Sequence, residues 1–534
     1  MTITQNVATI LKQHVTLEVE AIDRMYLNVY VPRLQIVEGA LGFIRRHRGH
    51  LVASTRMVEP ITRRFVAAIE KFVRDRALRL VSFDKGQRKD EVAARFRASF
   101  TQPEGVVFVG KAQERCTVYR TERRNPRTGK TYAWIVKSTA LVNHYYFYCV
   151  DRDFGPFFLK FCSYFPYNAK LCLNGHEYLK RQLEQRGIPY QALDNGILSC
   201  QDPQPLQAIA DGLSAAKIAG LLEKWLRLLP HPFSARDREA GYRYDLSILQ
   251  IELSLTQVLD RPLTGRIFFE EVIRENLDLG RPKQVQLIFE RGVTKTTPGL
   301  FRTRVITDGV VPSLHLDYKG TRIKQYHKEG RALRTETTIN NTRDFYIGKR
   351  LLNLPRLRQI GFQANRRLLQ VEEISHDCML AEEAFQQLNR PRQVDAQRAS
   401  ALRFADPQVQ SLWSALLLFP LLPRGFSNRE LRQYLAPLLG QLPAHLTPGR
   451  MTYQLRRLRL HGMIQRIPKT HRYQLTEFGL RAALFFTRTY NRILRPGLAQ
   501  VLPSVPARND RLRHCFNQLQ QEVDACVAAA QIAA

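Results

Sequence analysis

The segment Thr321–Ile339, TRIKQYHKEGRALRTETTI, gathers a tyrosine, a histidine, two acids and a run of cations into one alternating stretch. With Glu329-Gly330 as a two-residue turn, Lys328 pairs with Arg331, Tyr326 lies opposite Leu333 and Lys324 lies opposite Thr335. One face then carries Arg322, Lys324, Tyr326, Lys328 and Arg331. The other carries Gln325, His327, Arg334 and Glu336. Both faces hold ionisable groups, so neither reads as a plain core face. Arg322, Lys324, Lys328 and Arg331 suit phosphate contact. Glu336 and His327 are types that serve as general base or metal ligand. Tyr326 suits a stacking platform, or a nucleophile that forms a phosphotyrosyl bond. The structural alternative is an internal salt bridge of Glu336 with Arg334 on an edge hairpin.

A second candidate is the pair Asp151 and Asp153, at the end of the aromatic run YYFYCV. Alternation puts both carboxylates on one side, as two-metal phosphoryl chemistry requires. Glu18, Glu20 and Asp23 are acids that can complete such a site, and Mg2+ or Mn2+ is the ion it implies. A turn role is the alternative for the pair. Cys162, Cys172 and His176, with Cys200, form the one tempting zinc spacing. Zinc ligands usually pair two to four residues apart, so these cysteines read instead as buried reduced thiols. No Walker A loop, HExxH or GxSxG is present, which argues against P-loop nucleotide hydrolysis.

Two further stretches are basic. Asn340–Leu369 adds Arg343, Lys349, Arg350, Arg356, Arg358, Arg366 and Arg367, interleaved with Phe345, Tyr346 and Phe362. Bases with aromatics suit RNA or single strands, where rings stack on bases. Between 408 and 495 the order is helix, N-cap Ser427-Asn428, a second helix, Thr447-Pro448, a third helix to about His461, then two short strands. In the third helix Met451, Leu455 and Leu458 face inward. Arg450, Tyr453, Gln454, Arg457 and His461 then project outward, with Arg456 and Arg459 at the edges. Lys469, His471 and Arg472 sit at the hairpin tip, where they suit phosphate or minor-groove contact.

This last segment, quoted as MTYQLRRLRLHGMIQRIPKTHRYQLTEFG over 451–479, resembles the winged helix-turn-helix domains of MarR-like transcription regulators. The resemblance covers under a fifth of the chain. It implies a helix that reads the major groove of duplex DNA. Tyr326-His327-Lys328 followed by Leu333-Arg334-Thr335-Glu336 also looks like the Tyr-x-Lys and Leu-Arg-x-Glu strand pair of plasmid and filamentous-phage replication-initiation proteins. No clear HUH metal motif accompanies it.

These residues need elements to position them. Strands are expected over 17–31, at 78–83 and in pieces from 106 to 150, with a helix from Glu59-Pro60 to about Arg76. Helices are expected at 205–228, 245–278 and 350–390. An antiparallel meander is expected over 285–290, 301–307, 312–318, 321–328 and 331–339. The fold class is α+β and multidomain. Residues 1–200 read as a mixed α/β domain and 201–280 as a helical segment. Residues 281–395 read as a basic meander with helices, 396–500 as the winged helix, and 501–534 as a linker and terminal helix.

The 534 residues hold 81 Lys plus Arg against 48 Asp plus Glu, a formal net charge of +33. A chain this basic repels itself unless something anionic neutralises it. Hydrophobic residues at 44% and charged residues at 24% exclude a mainly disordered chain. Neither a secretory signal nor a membrane span is read, since Pro420 interrupts the most apolar run, so the expected location is cytoplasmic and nucleoid-associated. The expected partner is nucleic acid: duplex at 450–472, single strand or RNA at the body. The expected activity is that of a mobile-element or replication protein that nicks or transfers strands with a metal. A non-enzymatic transcriptional regulator with a sensor body, and an RNA-binding protein with a structural winged helix, are the alternatives.

Overall fold

The computed structural model describes residues 7–494 apart from 125–128, 130, 266, 269–301, 307–312, 377–381, 405 and 419–424, together with 514, 518, 521 and 522. The strand expected at 285–290 and most of the linker and terminal helix expected over 501–534 lie outside the described residues.

The chain opens with α1 (Val7–His14), β1 (Val15–Tyr30), α2 (Val37–Gly42) and α3 (Glu59–Asp75). Next come β2 (Leu80–Ser82), α4 (Lys89–Ala98), β3 (Gly105–Arg124) and β4 (Thr131–Asp151). Then follow β5 (Gly155–Cys162), β6 (Ala169–Asn174) and α5 (Gly175–Gln185), with the hairpin β7 (Tyr190–Leu193) and β8 (Gly196–Cys200). Helices α6 (Pro203–Asp211), α7 (Ala215–Leu228) and α8 (Ala235–Glu239) lead into β9 (Asp245–Leu259). The meander is β10 (Arg302–Ile306), β11 (Ser313–Tyr318), β12 (Thr321–Lys328) and β13 (Ala332–Ile339), followed by α9 (Leu354–His376) and α10 (Glu382–Asn389). The remainder is β14 (Arg392–Val394), β15 (Gln397–Ala399), α11 (Pro407–Leu416), β16 (Phe426–Ser427), α12 (Asn428–Leu438), α13 (Pro448–Leu460), β17 (Ile464–Arg466), β18 (Arg472–Leu475) and α14 (Glu477–Arg488).

The architecture is mixed α and β around an 11-stranded sheet, ordered β10-β11-β12-β13-β9-β1-β6-β5-β4-β3-β2. Neighbours are antiparallel except β2 and β3, which run parallel. The chain divides into two compact units. One holds Gln13–Phe269 and Gln286–Asn365, and so the whole large sheet; the other holds Met1–Lys12, Glu270–Val285 and Arg366–Ala534. The meander of 302–339 therefore extends the sheet begun at 15, and the boundaries expected at 200 and 280 do not separate bodies. No helix among the described residues is long and apolar enough to cross a membrane.

Most of the core lies on one face of the sheet. Met25, Leu27 and Val29 of β1, Phe147 of β4 and Leu159 and Phe161 of β5 form one cluster with Phe65 and Ile69 of α3, Tyr178 and Leu179 of α5, Ile209 of α6, Trp225 of α7 and Leu357 of α9. Alternation in β1 sends Arg24, Tyr26 and Asn28 to the opposite face.

Three expectations change. Residues 245–259 are a strand, not a helix. β9 lies between β1 and β13 and is buried along most of its length, so its apolar residues run without the alternation that marks a half-exposed strand. The helix expected over 205–228 is two, because Ser214 caps a new helix by accepting from Lys217 N–H. The hairpin register also shifts by one. Glu329 and Gly330 both have left-handed φ, Arg331 N–H donates to Lys328 O, and Lys328 pairs with Ala332, Tyr326 with Arg334 and Lys324 with Glu336.

At the end of β6 the chain turns straight into α5. Asn174 accepts from the N–H groups of His176 and Glu177, and Gly175 sits against β1 so closely that a Cβ would lie 2.0 Å from Ile22 O. Gly175→Ala should therefore cost about 2–3 kcal/mol by forced backbone displacement. Gly220→Ala, on an exposed turn of α7 with nothing within 4 Å, should add up to about 1 kcal/mol. Urea unfolding of the two variants beside the parent checks both signs.

Candidate functional site

The face opposite the helices is polar and aromatic. Directly paired residues in antiparallel strands share a face, so the register writes its rows. Tyr26, Cys172, Phe158 and Tyr148 form one row across β1, β6, β5 and β4; Asn28, Lys170, Lys160 and Tyr146 form the next. Tyr26, Phe158, Tyr148 and Lys170 are half-buried, and Arg24 is exposed. Phe158 lies 6.3 Å from Tyr26 and 5.6 Å from Tyr148, ring centre to ring centre, and the Lys170 ammonium lies 5.2 Å from the Tyr26 ring centre. Two residues along β1 a separate row on this face runs through Arg24, Glu252, Thr338 and Arg322 to Asp317.

One end of this face is walled by α4 and the loop before it. Phe96 stacks on Phe108 and Phe83 meets Tyr146 and Tyr148. Lys89 reaches down from α4 to Glu114 at 2.6 Å, and Lys160 reaches the other Glu114 oxygen at 2.6 Å. The Tyr146 hydroxyl also donates to Glu114. Burial works to raise the Glu114 carboxyl, but its bonds from Lys160, Lys89 and Tyr146 outweigh burial and hold it down at about 2.

Toward the meander the same face contains a buried ionic centre. The Arg334 side chain is 0% exposed, and its guanidinium meets Asp23 at 2.7 Å and Glu336 at 2.8 Å. It donates to the Asn195 carbonyl at the tip of the β7–β8 hairpin and to His176 Nε2 at 2.6 Å. Burial, with the Arg334 charge, pushes His176 down to about 3, so the ring is neutral and Nε2 can accept. Burial first, then the Asp23 charge, pushes Glu336 up to about 7 against the pull of Arg334. Asp23 goes the other way: burial raises it, but the charge of Arg334 outweighs this and brings it to about 2. At the outer rim the Tyr326 hydroxyl donates to Glu336 at 2.8 Å, and Lys324 lies 4.1 Å from the Tyr326 ring centre.

The candidate residues of the hairpin are thus brought together in part. Tyr326, Lys324 and Glu336 meet, as the one-residue register shift requires. His327 does not join them: it alternates to the other face and packs beside Gly265, where burial lowers it. Arg322 is exposed and paired to Asp317 at 2.9 Å. Lys328 lies near Asp194 and Glu329, and Arg331 is exposed in the turn. Lys349 and Arg350 sit beside the start of β9, where Lys349 O accepts from Ile248 N–H. A divalent ion does not fit at Glu336, because the Arg334 guanidinium already stands on both carboxylates.

Asp151 and Asp153 form no catalytic pair. Asp151 is buried and accepts from Lys224, Trp225 and the N–H groups of Asp153 and Phe154, so it anchors the β4–β5 turn to α7. Asp153 is exposed and bound by Gln185. Cys162, Cys172 and His176 do not gather either: His176 belongs to the Arg334 centre and Cys172 to the open face.

In the smaller unit, Arg450, Tyr453, Arg456, Lys469 and His471 are exposed and Gln454 is half-buried. Arg457 and His461 are corrections. Both are buried and turned onto the Ser400 carbonyl, because the segment after β15 packs on that side of α13. Arg456 donates to Arg398 O, and Arg472 is held by Glu430 at 3.0 Å.

The sequence reading missed Tyr26, Phe158, Tyr148, Lys160, Lys170 and Glu114. The signal for Phe158, Tyr148, Lys160 and Lys170 was the alternation of large polar and aromatic residues with apolar ones in KLCLN, FFLKFC and YYFYC. The chain matches no protein-family model, and no curated protein or solved structure matches it.

Two outcomes follow. Arg334→Met leaves the buried Asp23 carboxylate without its counter-charge and should cost about 3–5 kcal/mol in urea unfolding. Glu336 is protonated more readily folded than unfolded, so its contribution to stability falls as pH rises from about 4.5 through 7. Glu336→Gln, which mimics the neutral acid, should remove a loss on the order of 1–3 kcal/mol between pH 5 and pH 8, read as the difference between unfolding curves at the two pH values.

Proposed function

We propose that the protein binds nucleic acid, holding a single strand on the polar face of the large sheet. The observation that carries this reading is the row Tyr26, Phe158 and Tyr148, half-buried beside Lys170 and Arg24 on the face opposite the core helices. Rings set in a row accept bases by stacking, and neighbouring cations accept the phosphates. The surplus of cations over acids in the chain supports the same partner.

The smaller unit supports a second contact, with duplex. Its order is α11, β16, α12, α13, β17, β18 and α14, with a three-stranded sheet ordered β16-β18-β17. That order favours reading it as a winged helix, with Lys469 at the wing tip and Arg450 at the start of α13 reaching out. With Arg457 and His461 turned inward, the contact is carried by fewer side chains than the spacing of 450–461 suggests.

Strand cleavage is the second reading, favoured by the Tyr326 hydroxyl bonded to a carboxyl poised near neutrality. In that step Tyr326 Oη bonds to phosphorus and its proton passes to Glu336. The bridging P–O bond breaks, and the leaving oxygen takes a proton.

Fluorescence anisotropy with labelled single-stranded DNA, RNA and duplex tests binding. Tyr26→Ala and Phe158→Ala should each weaken single-strand binding by about 5- to 100-fold, and Lys469→Ala should weaken duplex binding alone. A salt slope near zero, or single-strand affinity unchanged in both ring variants, would overturn the proposal. For cleavage, a denaturing gel of protein with labelled strand should show a covalent adduct that Tyr326→Phe abolishes; no adduct removes that reading.

A further inference from the structure

Beyond the walled end of the polar face lies a group that nucleic-acid binding does not use. Cys116 on β3, His144 on β4 and Cys162 at the end of β5 bring one ligand atom each to within 4.8 Å of one another. The two sulfurs are 3.6 Å apart. Cys162 pairs directly with His144, and Cys116 lies on the same side of the sheet two residues beyond Glu114.

The geometry suits a metal better than a disulfide. The two sulfurs, 3.6 Å apart, stand well beyond the bond length of about 2.05 Å that a disulfide takes. Two thiolates on a tetrahedral zinc, each at about 2.3 Å, stand about 3.7 Å apart. His144 is prepared as a ligand: its Nδ1 lies 3.1 Å from the Val142 carbonyl, to which it donates. That leaves the lone pair on Nε2, and a backbone carbonyl in this role is what fixes the tautomer of metal-bound histidines. The Cys162 sulfur lies 3.5 Å from the Tyr164 N–H, which orients it. His144 and Cys162 are buried while Cys116 is half-buried, so the group opens to solvent on the Cys116 side.

We propose that Cys116, His144 and Cys162 bind one Zn2+ through two thiolates and an imidazole, with the fourth position open to water or a ligand. Binding releases the two thiol protons and leaves a site of zero net charge. The ion joins β3 to β5 across β4.

The test uses the full chain, reduced and stripped of metal with a chelator, and titrated with Co2+. The expected result is one equivalent bound, with a sulfur-to-cobalt charge-transfer band in the near ultraviolet and intense visible bands of tetrahedral coordination, both erased by one equivalent of Zn2+. Cys116→Ser and Cys162→Ser should each lose the charge-transfer intensity while keeping the parent's circular dichroism. Cys172→Ser, on the same face outside the group, should keep it. No thiolate band in the parent protein overturns the site, as does a band that survives Cys116→Ser or disappears in Cys172→Ser. If a variant fails to fold, the parent titration and the Cys172→Ser control decide alone.

Discussion

A single buried guanidinium organises the centre of the larger unit. Arg334 enters from β13, yet its partners come from β1, from the first turn of α5 and from the β7–β8 turn. Removing a charge from water is expensive unless it is paired and hydrogen-bonded, so these four elements have one arrangement that keeps the cost down. The sheet makes room for this. β6 stops at Asn174, and the next stretch of β1 is covered by the N-terminus of α5 in place of another strand. Gly175 is required because that helix start lies directly on the β1 backbone. The polar centre and the break in strand pairing are thus one feature seen from two sides.

The same constraint separates the two faces. Helices α3, α5, α6, α7 and α9 bury one face, and among the described residues α4 stands on the other at one end. A sheet face left to water ordinarily carries small and charged groups at random. Here large rings repeat along a register row, and three of the neighbouring ammonium groups lie over tyrosine rings. Half-buried rings on an open face cost solvation that a stacked ligand would relieve. The ionic centre at one end and the Glu114 cluster at the other fix the floor between them, which supports reading it as preformed rather than induced.

Much of the fold was legible in the chain, and the failures have physical causes. Alternation gave β1, the strand pairs of 105–150 and the meander of 302–339, because those strands keep one face toward water or a ligand. β9 was unreadable as a strand because both of its faces are buried and period 2 disappears. The hairpin at 321–339 was found but slipped by one residue. A two-residue turn was assumed, whereas left-handed φ at Glu329 and Gly330 makes a three-residue loop ending at Arg331. That slip is what hid the Tyr326–Glu336 contact, since it set Tyr326 opposite Leu333. The cluster of Cys116, His144 and Cys162 was invisible for a different reason: its members are separated by 28 and 18 positions, and only the pairing of three strands brings them together.

Counting cations overstates what a surface can grip. Arg457 is spent on the carbonyls of Ser400 and Ala401, Arg472 on Glu430, Arg358 on Asp211, and Arg334 on the interior. Arg457, bonded to neutral carbonyls, still adds its full charge to the far field and so to the steering of a polyanion. It cannot also close on a phosphate without breaking a bond it already has. Arg472 and Arg358, paired to carboxylates, add little even at a distance. Steering and grip therefore draw on different subsets of the 81 basic residues. In the proposed reading, contact would fall to exposed residues such as Arg24, Arg450 and Lys469. If the proposed partner is bound, the salt dependence of encounter and the number of phosphates held at equilibrium are separate quantities, and only the second would map onto these exposed heads.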